Sequence, residues 1–310
     1  MAKTRHPLFR EDRSPAPLNR TLFLTAADRQ RFKIKTVEDL KKKPFDSSLN
    51  HIYCCDCIDG FKHTPTASID LVFADPPYNI GKDFGNNRTR VSGERYAKWL
   101  DTWLAECGRV LKSNGSIYVC SEWHDSLVMQ AALQKHFTIM NRITWRREKG
   151  RGSARNWKSN MEDIWFCVKG NDYTFNVADV KQKKEVIAPY KVNGKPKDWL
   201  ERDGERFRMT HPSNIWVDTV VPFWSMRENT PHPTQKPELV IERIIKASSN
   251  ADDIVLDPFM GSGTTAVVAK RLGRRFIGFE LNPEYVMLSM KRLESQGKNK
   301  RARKIRKPSY

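Results

Sequence analysis

The sequence predicts an α/β fold: a mostly parallel, doubly wound sheet with one irregular region inserted into it. Three observations carry that expectation. From His51 onward, short apolar runs alternate with segments of helical period, the pattern of strands joined by crossover helices. Towards the C-terminus, "VLDPFMGSGTTAVVAKRLG" (255–273) reads as strand, glycine turn and helix in direct succession. Between the two regular blocks, residues 170–230 are rich in lysine, glycine, proline and aromatics, with little helical period. A chain of 310 residues can bury a substantial core.

Taken in order, residues 1–50 carry scattered charge without sustained periodicity and are expected to form a basic, loosely packed N-terminal extension. The first regular block, 51–169, holds predicted strands at 52–55, 69–74, 116–120, 139–145 and 164–168. Its helical segment 95–111 spaces Trp99, Trp103, Cys107 and Val110 along one face, a stripe expected to face the core. After the irregular region, the second block spans 231–295. Its first helix, 236–249, has Pro237 where a helix start tolerates proline, and places Val240, Ile244 and Ala247 on one face. "DDIVLDP" is then a strand, "TTAVVAKRLG" a helix closed by Gly273, "RRFIGFE" a strand and "NPEYVMLSMKRLES" a helix. Residues 296–310 form a basic tail, expected to be mobile.

Charge narrows the function classes. Lys and Arg number 55 against 36 Asp and Glu, a net charge of +19 whose field attracts polyanions and makes nucleic acid the leading partner. No stretch approaches the ~20 apolar residues of a membrane helix, and Met1 to Arg20 hold no apolar run of the signal-peptide kind. Cys54 and Cys57 form a C-x-x-C, but no second Cys or His pair stands at zinc spacing, so no metal is expected. The six cysteines read as reduced, mostly core residues of a cytoplasmic protein.

Two motifs carry the chemistry. In "FADPPYNIG" (73–81) the prolines end a strand abruptly, because proline lacks the N–H a sheet needs. Alone, the segment is no more than a rigid turn. In the second motif, Gly261 and Gly263 are expected to let backbone pass close to a ligand. A phosphate-binding loop would place lysine after the last glycine; Thr264 stands there instead, which favours a nucleoside ligand over a phosphate. Glu280 ends the next strand, 23 residues beyond Asp257, about where an acid meets ribose hydroxyls in doubly wound folds.

Together, D-P-P-Y at Asp75–Tyr78 and F-x-G-x-G at Phe259–Gly263 resemble the motifs of S-adenosylmethionine-dependent DNA amino-methyltransferases. The order, D-P-P-Y first and a long variable stretch between, resembles the β group of bacterial adenine-N6 and cytosine-N4 enzymes, of restriction–modification or solitary type. The resemblance covers roughly His51 to Glu294 and implies a Rossmann-like methyltransferase fold. It implies that Asp75, Pro76, Pro77 and Tyr78 are catalytic, with Tyr78 stacking on the target base. It implies a cofactor set of Asp56, Cys57 and Ile58 around the adenine ring, and Thr234 and Lys236 at the methionine carboxylate. Asp75, Asp257, Phe259, Gly261, Gly263, Thr264, Glu280 and Asn282 complete that set.

On this reading the chain methylates adenine N6 in double-stranded DNA after turning the base out of the duplex. Cytosine N4 is the alternative target, and a catalytically inactive DNA-binding protein of the same fold the alternative of another class. The family admits a homodimer and a separately acting restriction endonuclease as partners, and a nucleoid-associated location. Residues 142–160 interleave seven cations with Trp145 and Trp157, a composition suited to DNA contact. Arg146, Arg147, Arg151, Arg155 and Lys158 there, with Arg206 and Arg208 in the 170–230 target-recognition region, form the expected DNA-binding set.

Overall fold

A computed structural model describes residues 17–79, 91–147, 154–155, 157–186, 191–193, 195–196, 199–202 and 204–305. In chain order its strands are β1 (Lys35–Thr36), β2 (His51–Cys54), β3 (Ile69–Ala74), β4 (Leu111–Ser121), β5 (Thr138–Arg146), β6 (Met161–Val168), β7 (Gln182–Glu185), β8 (Lys191–Val192), β9 (Lys195–Pro196), β10 (Leu200–Arg202), β11 (Glu205–Thr210), β12 (Ile215–Trp216), β13 (Ile254–Asp257) and β14 (Arg275–Glu280). The helices are α1 (Ala26–Arg31), α2 (Val37–Lys41), α3 (Phe45–Ser48), α4 (Cys57–Phe61), α5 (Gly93–Val110), α6 (Ser126–Leu133), α7 (Glu238–Ser248), α8 (Thr264–Arg271) and α9 (Pro283–Ile305).

Among the described residues, nine strands form one sheet in the order β1-β2-β14-β13-β3-β4-β6-β5-β12. Every pairing is parallel except those of β6 with β4 and β5. Strand alternation divides the core into two layers. Val72, Ala74, Ile254 and Leu256 face one way, onto α5 through Leu100, Trp103, Leu104 and Cys107. Leu71, Phe73 and Val255 face the other way, onto Val240, Ile241 and Ile244 of α7 and Ala266 and Val268 of α8. Burial on both faces explains why these strands are apolar runs rather than alternating ones. The doubly wound expectation therefore holds.

The N-terminal stretch differs from the sequence expectation. Residues 17–50 are not a loosely packed extension. Thr25 caps α1 through a reciprocal capping box with Asp28, β1 adds a parallel strand to β2, and Leu40 and Leu49 enter the core. Ion pairs from Asp28 to Lys291, Arg29 to Glu284 and Arg31 to Glu294 fasten α1 to α9. At the other end, α9 continues through the basic stretch to Ile305, beyond the Ser295 end that its apolar pattern predicts. Much of the irregular region is held apart from the main sheet: β10, β11 and β7 make an antiparallel sheet of their own, and β8 pairs with β9.

Candidate active site

β3 and β13 are hydrogen-bonded neighbours, Leu71 opposite Val255 and Val72 opposite Leu256. The segments leaving their C-terminal ends, Asp75–Tyr78 and Asp257–Thr264, are therefore adjacent, although 182 positions separate Asp75 from Asp257. A cavity of about 820 Å³ lies at this point, with Asp75, Tyr78, Trp99, Lys236, Phe259 and Glu280 among its walls. Open α/β sheets bind ligands outside the carboxyl ends of their strands, where the winding reverses.

At one side of the cavity four charged groups from four elements meet. Lys236 Nζ donates to Asp75 Oδ2 at 2.6 Å and lies 3.3 Å from Glu162 Oε2. Arg147 closes the other oxygen of Glu162. The Tyr78 hydroxyl donates to Asp75 Oδ1 at 2.8 Å, and Tyr96 donates to the Pro77 carbonyl at 3.3 Å, pinning the turn. Burial drives the Asp75 carboxyl upward, a rise that Lys236 opposes and the Glu162 charge reinforces. Burial pushes Glu162 the same way, but Lys236 and Arg147 outweigh it and hold that carboxyl low. Burial alone would strip the proton from Lys236, and its two carboxylates keep it charged.

Two of the expected site residues line the cavity and are also engaged within the protein. The resemblance gives Lys236 to the cofactor carboxylate; in the structure its ammonium, on a residue 5% exposed, faces Asp75 and Glu162. The physical reason is that two buried carboxylates without a cation between them would be prohibitively costly. The resemblance gives the Tyr78 ring to base stacking; here Tyr78 is 7% exposed, with the Lys236 ammonium 5.5 Å from its ring centre. Only a small part of the ring meets the cavity.

The glycine loop is held from behind. Asp257 accepts from the Phe259 N–H at 2.9 Å and the Thr265 hydroxyl at 2.5 Å, and burial pushes its carboxyl up to about 7. Glu280 accepts from the N–H groups of Gly261 and Asn282, each at 2.8 Å. Gly261 (φ 53°) and Gly263 (φ 79°) are both left-handed. The protein atoms nearest their missing Cβ positions are the His232 ring at Gly261 and Ser289 at Gly263. Burial, with Lys236 and Arg292 nearby, lowers His232 to about 3 and leaves it neutral.

Of the remaining cofactor candidates, Asp56, Cys57, Thr234, Thr264 and Asn282 also line the cavity. Asp56 caps α4 by accepting from the Ile58 N–H at 2.8 Å, and Asn282 accepts from the Glu284 N–H at 2.9 Å at the start of α9. Ile58 packs against the core beside Phe61 and Phe279 and is not one of the wall residues. Thr264 binds the Lys236 carbonyl and receives Arg292. Aromatic walls and acids at Asp56 and Glu280 suit a ligand with an adenine ring and ribose hydroxyls, as S-adenosylmethionine has.

The expected DNA set divides. Arg155 and Lys158 are exposed, and Trp157 between them is 96% exposed. Arg146 is exposed and donates to the Val217 carbonyl at 2.7 Å. Arg206 is exposed on β11, near Glu201 and Trp199, and Arg208 is half-buried on the same strand. Arg147 belongs to the Asp75 cluster, and Trp145 is core, 1% exposed and bonded to Thr219. Arg151 lies outside the described residues.

Sequence reading missed three contributors. Glu162 sits in "MEDIWFCV", where an acid pair in an otherwise apolar strand was the available signal. Arg292, buried on α9, donates to the Ser262 carbonyl, the Thr264 hydroxyl and Glu238, tying the glycine loop to α7. Trp99 extends the α5 stripe into the cavity wall and packs on Phe259.

A doubly wound sheet whose two halves close on one cavity, with a carboxylate at its inner wall, is a Rossmann-like methyltransferase fold. The chain belongs to the N6/N4 DNA methylase family, whose model matches residues 69–291, and is an S-adenosylmethionine-dependent DNA methyltransferase acting on adenine or cytosine. It is 38% identical over 246 residues to DNA adenine methyltransferase YhdJ of Escherichia coli (strain K12), covering 77% of this chain and 81% of that protein. With the type II methyltransferase M.HpaI of Haemophilus parainfluenzae it shares 36% over 250 residues, 79% and 74% of the two chains. Its fold resembles the cytosine-N4-specific PvuII DNA methyltransferase, with a TM-score of 0.58 and 20% identity over 80% of this chain and 89% of that one.

Proposed function

We propose that the enzyme methylates N6 of adenine at a specific sequence in double-stranded DNA, with the target base turned out of the helix. The observation that carries this reading is a carboxylate, Asp75, at the first position of the proline turn and on the cavity wall. The 38% identity with an adenine methyltransferase supports it.

Adenine's exocyclic nitrogen is a poor nucleophile because its lone pair is conjugated with the ring. Asp75 acts as an acceptor for one amine hydrogen: among the described residues each carboxylate oxygen has one partner, and a carboxylate has about four acceptor positions. The Pro76 carbonyl, fixed by two prolines, is the second acceptor. Held between them, the nitrogen becomes more tetrahedral and its lone pair is aimed, a contribution of alignment and preorganised charge. S-adenosylmethionine, when bound, supplies the electrophilic methyl group. Glu280, Asp56 and Thr234 orient it, and the methylated amine afterwards releases its proton to water. Arg155, Lys158 and Trp157, with residues 170–230, form the DNA-reading face on this proposal.

Incubation with labelled cofactor and genomic DNA, followed by nucleoside analysis, should yield N6-methyladenine; N4-methylcytosine would transfer the assignment to the other amine. Asp75→Ala should lower turnover by at least about 10³-fold while cofactor and DNA affinities stay near wild type. An equal loss of binding would reduce the proline segment to a structural turn.

A further inference from the structure

Glu162 touches neither the proposed acceptor positions nor the glycine loop, yet it is buried beside Asp75 and shares the Lys236 ammonium with it. We propose that Glu162 is a positioning residue for methyl transfer: by dividing Lys236 with Asp75, it keeps the Asp75 carboxylate free to accept from the target amine. The proposal rests on the acceptor role of Asp75 and holds for either base.

The geometry supports a division rather than a simple ion pair. Lys236 Nζ stands 2.6 Å from Asp75 and 3.3 Å from Glu162, and its ammonium has three donors to distribute. Arg147 satisfies the outer oxygen of Glu162. Two carboxylates and two cations thus sum to zero in a largely buried site. Each comes from a different element: Asp75 after β3, Glu162 on β6, Arg147 after β5 and Lys236 before α7. Without the Glu162 charge, Lys236 and Arg147 together would leave one net positive charge against Asp75. A carboxylate so engaged is a weaker acceptor for a neutral amine. The other groups facing Asp75 are the Tyr78 hydroxyl, Tyr96 and the Cys120 thiol, which burial keeps neutral. Asp257 completes the surroundings from β13.

The test is the single-turnover methylation rate against pH, at saturating DNA and cofactor. Activity requires ionised Asp75, so the wild-type rate falls on the acid side as Asp75 protonates. Glu162→Gln removes a neighbouring negative charge, so its acid limb should move to lower pH by about one unit. Its plateau should fall at least about tenfold, with cofactor affinity within about twofold of wild type. Arg147→Gln leaves the Glu162 charge uncompensated and should move the limb the opposite way. Glu162→Asp keeps the charge and should keep the limb near its wild-type position even where the rate is lower. Opposite displacements are the signature that loss of packing cannot produce.

Slower variants with an unmoved limb would overturn the proposal. If Glu162→Gln fails to bind cofactor because it misfolds, the upward shift in Arg147→Gln and the held limb in Glu162→Asp still decide. Asp75→Asn is assayed alongside. Near wild-type activity in that variant would overturn the acceptor reading itself; an inactive Asp75→Asn with unmoved limbs elsewhere would overturn only the role of Glu162.

Discussion

Gly263→Ala separates two explanations of the glycine loop. Gly263 precedes α8 with φ 79° and ψ 23°, a conformation that costs an L-residue about 1–2 kcal/mol. A Cβ there would lie 2.6 Å from Ser289 Cβ and 2.7 Å from its Oγ, so α8 and α9 would have to separate. Overpacking of this kind costs about 1–3 kcal/mol. The sum is about 2–5 kcal/mol, a large part of the ~5–15 kcal/mol that holds a domain folded. Ser289→Gly removes both offending atoms, at the expense of hydroxyl bonds to the Gly261 and Tyr285 carbonyls. Urea denaturation of wild type, both single variants and the double variant should therefore return a favourable coupling of about 1–3 kcal/mol. Gly261→Ala meets only the His232 ring, at 3.1 Å, and should cost chiefly the backbone penalty of about 1–2 kcal/mol. Equal costs at the two glycines, with strict additivity at Ser289, would refute the packing account and return Gly263 to the ligand.

Asp28→Asn should destabilise the protein at neutral pH by up to about 1 kcal/mol, because the residue is covered by its partners rather than sunk in the interior. Burial raises the Asp28 carboxyl, but bonds from Lys291, Thr25 and Arg31 outweigh it and hold the group well below 3.8. Its contribution is thus present above the unfolded value and lost as pH falls through the depressed folded one, so denaturation midpoints of variant and wild type should converge below about pH 4. A constant gap across pH would remove the ionic account. Lys158→Ala should weaken DNA binding uniformly across sequences and reduce the slope of log affinity against log salt by about 1, as fluorescence anisotropy would read. An unchanged slope would place Lys158 off the phosphates.

What the sequence made legible were punctuation marks. Pro76 and Pro77 follow β3, and Pro258 and Gly261 follow β13, at the cavity, and local chemistry suffices to see both breaks. The adjacency of β3 and β13 follows once a doubly wound sheet is assumed. The N-terminal elements had no such signal: β1 is two residues long, and Arg29 meets Glu284 across 255 positions. Trp99 shares the stripe of Trp103, and spacing alone does not say which turn of α5 leaves the core for the cavity. Glu162 becomes intelligible only when three other elements bring Asp75, Arg147 and Lys236 to it. Spacing alone also gave no sign that His232 and Ser289 of α9 lie against the two glycines.

Both margins of the large sheet are two-residue strands, β1 and β12. Such short margins offer little template for pairing with another chain. β12 has a second consequence. Its rungs at Ile215 and Trp216 bring the inserted region into the main sheet, with bonds from Trp145 to Thr219 and from Arg146 to the Val217 carbonyl beside them, while much of that region folds upon itself. Its separate small sheets can vary in sequence without disturbing the strands of the main one. On the proposal that this region reads the DNA, exchanging it between relatives should change the sequence read while leaving the transfer machinery in place, a short route to new specificities.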